Sequence, residues 1–124
     1  MKRLLTLSLA GILALSGCSV ENCTLEFALI TVSVTGGYLD RTATVRSSTG
    51  DTVYSYINPQ DSTSLPPPHY VILDDNYAGD LRDDQDVFTF FGWFQDSLVV
   101  TQNYLISADA CHINRESGPT EIEL

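Results

Sequence analysis

Near its C-terminal end the chain sets a cysteine beside a histidine, Cys111 and His112, in the run SADACHINRE (residues 107–116). Three chemistries use that pair. A thiolate beside an imidazole is an activated nucleophile. Thiolate and imidazole are also zinc ligands. A cysteine that is instead oxidised leaves a structural bridge with a bystander imidazole. A zinc site needs more ligands than these two, and the only other histidine is His69. On a strand through residues 104–113, neighbouring side chains point to opposite faces, so Cys111 and His112 would share neither a metal nor a proton. The sequence favours the bridge and leaves free thiols, a metal site or a nucleophile as alternatives.

Three further groups carry potential chemistry. The first is acidic. Asp74, Asn76 and Gly79 fall at the first, third and sixth positions of a calcium loop, but Ala78 and Gln85 stand where the fifth and twelfth ligands belong. The run is therefore not an EF-hand. With Asp80, Asp83, Asp84 and Asp86 it remains a candidate irregular calcium site, and otherwise a solvated turn. The second group is Phe91 and Trp93, which share one parity of an aromatic strand and suit stacking on a sugar or anchoring a protein, unless both faces are covered. The third is a hydrolase triad. Serines, histidines and aspartates are present, but no G-x-S-x-G elbow occurs, so only a triad assembled in space remains open.

The segments that must position these residues begin after the N-terminus. Lys2 and Arg3 precede an apolar stretch from Leu4 to Leu15, too short to span a bilayer comfortably. The run Leu15-Ser16-Gly17-Cys18 resembles the lipobox of bacterial lipoproteins. The resemblance implies a signal peptide over residues 1–17, removed on export, and a diacylglyceryl group and an added acyl chain on Cys18. Ser19 implies transfer to an outer membrane of the Gram-negative kind. Residues 18–22 form a short tether, and residues 23–124 form a single domain. Four arginines then face sixteen acids, a net charge of −12, with no lysine in residues 18–124. That charge disfavours nucleic acid and suits cationic partners or divalent ions. It leaves Cys23 and Cys111, 88 residues apart, as an even pair in an oxidising compartment, where a disulfide is the expected state.

Hydrophobic alternation, β-branched residues and turn signals read as strands nearly throughout. CTLEFALITVSVTGG places Leu25, Phe27 and Leu29 on one parity and Ile30, Val32 and Val34 on the other, which requires a bulge or a change of sheet. RTATVRS and TVYSYIN form a hairpin around Gly50-Asp51. Pro66 to Pro68 mark a surface loop. YVIL, DVFTFFGWF, SLVVTQNYLISADACHI and PTEIEL follow. About seven strands in about 100 residues indicate an all-β fold, an antiparallel two-sheet sandwich.

The opening cysteine, ITVSVTG, and the late pattern of Tyr104, Ile106, Ala108, Asp109, Cys111, His112 and Ile113, closing on EIEL, resemble small bacterial lipoproteins of the carboxypeptidase-regulatory-like, transthyretin-like group. The resemblance covers both ends of the chain and little of the middle. It implies a seven-stranded, prealbumin-like β-sandwich with a disulfide from the first strand to a late one, and a non-catalytic accessory role. One branch of that superfamily hydrolyses 5-hydroxyisourate and ends Tyr-Arg-Gly-Ser. This chain ends Glu121-Ile122-Glu123-Leu124, so that activity is not carried over. The expectation is a lipid-anchored envelope protein, not an enzyme, that binds an envelope protein or a glycan. The alternatives are an acidic inhibitor of a basic secreted enzyme and a calcium-dependent binding module.

Overall fold

The computed structural model describes residues 23–57 and 67–124. Cys18, with the rest of residues 1–22, and residues 58–66 of the proline-rich stretch lie outside the described residues. The described chain forms eight strands: β1 (Leu29–Thr35), β2 (Arg41–Arg46), β3 (Thr52–Ile57), β4 (His69–Asp74), β5 (Asp84–Phe94), β6 (Ser97–Ala108), β7 (Ile113–Ser117) and β8 (Glu121–Glu123). A single 3-10 turn, Asp75–Tyr77, follows β4. The strands make two sheets, one ordered β4-β1-β8 and the other β3-β2-β5-β6-β7.

Strand alternation sets what lies between the sheets. Ile30, Val32 and Val34 of β1, Phe88 and Phe90 of β5, and Val100, Tyr104 and Ile106 of β6 point inward and are buried with Leu39, Ile72, Leu73 and Leu81. Fully burying one such side chain contributes about 1.5–3 kcal/mol. The other parity of the opening segment does not join them. Leu25 and Phe27 precede β1 and are 105% and 56% exposed. In the β1–β4 pairing the register shift between Ile30 and Thr31 leaves the extra residue, Ile72, in β4. β1 itself alternates without a break, so the bulge or sheet change expected for the opening segment does not occur there, and its other parity stays exposed.

Two features differ from the sequence reading. The segment read as one strand through Ile113 is two, β6 and β7, because Asp109 turns the chain. Its Oδ1 accepts the backbone N–H groups of both Cys111 and His112, each at 2.7 Å. Cys111 and His112 thus lie in a turn, and the opposite-face argument for them does not hold. The last strand, β8, runs parallel to β1, with Val34 opposite Ile122, so the sandwich is not purely antiparallel. The β2–β3 hairpin forms where expected, with Gly50 at φ +74°. The β5–β6 hairpin turns through Gln95 and Asp96, both at positive φ, the geometry of a type I′ turn.

Pairing and connectivity separate two poles. At one pole the start of β5 (Asp84) lies opposite the end of β6 (Ala108), and the end of β4 (Asp74) opposite the start of β1 (Leu29). Cys23 and Cys111 are there. At the other pole Arg41 pairs with Trp93 and Ile57, and Leu124 bonds back to Thr35.

Candidate functional site

At the first pole Cys23 and Cys111 form a disulfide, with their Cα atoms 5.3 Å apart. The bridge brings together the residues that follow each cysteine. Thr24 Oγ1 lies 2.7 Å from His112 Nε2. On the other side of the ring, His112 Nδ1 lies 2.6 Å from Asp75 Oδ2. Asp75 comes from the 3-10 turn after β4, and its side chain is only 7% exposed. Two backbone donors hold it: Ala28 N–H to Oδ2 at 2.7 Å and Ile113 N–H to Oδ1 at 2.9 Å. Burial works against the Asp75 charge, but the Ala28 N–H, the His112 ring and the Ile113 N–H outweigh it and hold the carboxyl below its usual range. The Asp75 hydrogen bond, against some desolvation, raises the His112 pKa, and Asp109 and Glu26 add to the rise.

The sequence leaves a spatially assembled triad open but does not point to this hydroxyl–imidazole–carboxylate chain. His112 was singled out there, but its partners stand 88 and 37 positions away. Asp75 sits in an acidic run whose other members looked equally placed. The one available signal is the pairing of Cys23 with Cys111, which draws the backbones at Thr24 and His112 together. The lining of the polar hollow of about 450 Å³ between β1 and β7 includes His69 and Arg115.

The proposed calcium ligands do not converge. Asp74 caps the 3-10 turn by accepting the Asn76 N–H at 2.9 Å. Asp86 pairs with Arg46 at 2.6 Å, both side chains 16% exposed, and accepts the Ser48 hydroxyl. The Ser48 and Arg46 hydrogen bonds, over the cost of burial, lower its pKa. Asp83 lies 3.8 Å from exposed Arg82, and Asp84 accepts the N–H of Gln85. Asp80 lies in the turn before β5. No group of three or more His, Cys, Asp or Glu residues able to hold a metal occurs among the described residues.

Phe91 and Trp93 do come together. They stand on the outer face of β5, the central strand of the larger sheet, half-buried, with ring centroids 6.0 Å apart. The Arg41 guanidinium lies over the Trp93 ring, 4.2 Å from its centroid. Across that row, Ile57 and Leu98 flank Arg41 and Trp93 and are exposed. The same pole holds an apolar hollow of about 430 Å³ lined by Gly36, Gly37, Tyr38, Phe94, Val99 and Leu124. Tyr38 meets Phe94 edge to face at 5.0 Å. Apolar side chains that stay exposed in a cluster of this kind mark interaction surfaces.

The fold and these two poles define a disulfide-stapled, all-β sandwich with one acidic, hydrogen-bonded end and one apolar end. No protein-family model, curated protein or solved structure matches the chain. Among the described residues no helix is long and apolar enough to cross a membrane.

Proposed function

We propose that the chain is a lipid-anchored binding module of the bacterial cell envelope, held through Cys18, that acts as a non-catalytic accessory and docks a protein partner at its apolar pole. The observation that carries this reading is the apolar hollow at that pole, lined by half-buried Phe94 and by exposed Tyr38, Val99 and Leu124. A protein partner fits better than a glycan. Sugar stacking needs a free aromatic face, and Arg41 already lies over Trp93. An apolar hollow instead accepts an inserted aliphatic or aromatic side chain, the usual anchor of a protein interface. The lipobox-like run Leu15 to Cys18 and the late D-x-C-H run support export and anchoring.

Trp93 is the single tryptophan, so its emission reports on this surface alone. The non-lipidated domain, titrated with fractionated envelope proteins and with envelope oligosaccharides, should show a Trp93 shift with one protein, and L124D and Y38A should abolish it. A shift with oligosaccharides alone, or one unaffected by both variants, overturns the reading. Binding that collapses with salt but survives both variants would favour the acidic-inhibitor alternative. Binding abolished by a chelator would favour the calcium-dependent one.

A further inference from the structure

We propose that Thr24 is a base-activated acyl acceptor, a site of covalent modification built beside the disulfide by Thr24, His112 and Asp75. The geometry is that of a nucleophile, a general base and an orienting carboxylate. His112 Nε2 is 2.7 Å from Thr24 Oγ1, and Nδ1 is 2.6 Å from Asp75 Oδ2. Asp75 is itself fixed by two backbone N–H groups, so it holds the ring in the tautomer with its proton on Nδ1. Nε2 then presents a lone pair to the Thr24 hydroxyl. The Cys23–Cys111 bridge joins the residues immediately before Thr24 and His112, so hydroxyl and base stay together without a further ordering step.

The donor class is an activated acyl ester. Thr24 Oγ1 bonds to the acyl carbon as its proton passes to His112 Nε2. The bond from the acyl carbon to the leaving oxygen then breaks, and that oxygen takes the proton from Nε2. Ester and threonine become acyl-threonine and a free alcohol, with no change of oxidation state. Thr24 is exposed, so it is reachable by a small or flexible donor. Residues facing His112 are Asp75 from the 3-10 turn, Asp109 from the β6–β7 turn and Glu26 from the opening segment. All three favour the protonated ring, so the acceptor works as pH rises past the ordinary imidazole range.

The absence of lysine from residues 18–124 makes the test clean, because the commonest competing acyl acceptor is missing. The oxidised, non-lipidated domain is treated with p-nitrophenyl acetate, followed by phenolate release and peptide mapping. The expected result is a stoichiometric burst with the acetyl group on Thr24, rising with pH through a midpoint above 6.5. T24S keeps the burst, while T24A and H112Q lose it by about 100-fold. The exposure of Thr24 and the intact bridge keep T24A folded, so its result is decisive. Acetyl mapped only to tyrosines, the N-terminus or His112, or a T24A burst equal to wild type, overturns the proposal.

Discussion

Removing the Cys23–Cys111 bridge tests how this small domain reaches stability. The bridge closes 88 positions, nearly the whole described domain. In the chain-entropy model, a loop of 88 residues restricts the unfolded ensemble by about 4.6 kcal/mol at 25 °C. A small domain holds about 5–15 kcal/mol in total, so this is about 30% of it or more. The expected result for C23A/C111A is therefore severe. With a urea slope of about 1–1.5 kcal/mol/M, the midpoint falls by about 3–4.5 M. The slope itself should rise, because an unbridged unfolded chain expands further and exposes more surface. Urea unfolding followed by Trp93 fluorescence measures both quantities. Removing the bridge also frees Thr24 from His112, so T24A in the bridged protein is the control; the contact is solvent-exposed, and T24A should leave the urea midpoint close to that of the wild type. A loss below about 1 kcal/mol for the double variant refutes the loop-closure argument. The eight strands would then be stable through packing alone.

Other perturbations follow from single contacts. A Cβ at Gly118 would lie 2.2 Å from Tyr104 Cδ1, at a φ of +120°. Tyr104 is fully buried, its hydroxyl donates to Pro119 O at 2.7 Å, and burial pushes its pKa up to about 12. G118A should thus cost about 3 kcal/mol or more from overpacking and backbone strain together, and an unchanged melting temperature would contradict the packing. The buried Thr44 hydroxyl has no hydrogen-bond partner among the described residues, so T44V, which keeps the branched shape, should gain about 1 kcal/mol in urea titrations; a loss would mean that the hydroxyl is satisfied. The Asp75–His112 pair sets a pH window. Asp75 lies below its ordinary 3.8, so its contribution is present above that value and lost as pH falls. His112 lies above its ordinary 6.5, so its contribution is complete below 6.5 and lost as pH rises through the folded value. The urea-midpoint difference between wild type and H112N should peak between these limits, and a flat difference would show that the pair is uncoupled.

Local chemistry was legible in the sequence where one segment carried it. Gly50-Asp51 announced the β2–β3 turn, and the alternation of Phe88 and Phe90 against Phe91 and Trp93 gave β5 both its inner and its outer face. The β5–β6 turn was silent because Gln95 and Asp96 adopt positive φ without a glycine. The β6–β7 turn was silent because its cause is a side chain, Asp109, bonding forward to two amides. Acidic residues in one run diverged for the same reason. Asp74 caps a turn, Asp75 holds a histidine and Asp86 holds an arginine, and only tertiary neighbours separate these roles.

The two poles differ in what they carry. The disulfide end holds Asp74, Asp75, Asp80, Asp83, Asp84 and Asp109 together with the Thr24–His112 pair. The opposite pole holds Tyr38, Val99 and Leu124, exposed around the apolar hollow. If the proposed anchor at Cys18 holds, four residues reaching about 14 Å at most would set the disulfide end nearest the membrane. Its acids would then oppose an anionic headgroup layer within a screening length of about 8 Å at physiological salt, which favours the orientation that turns the apolar pole away from the lipid.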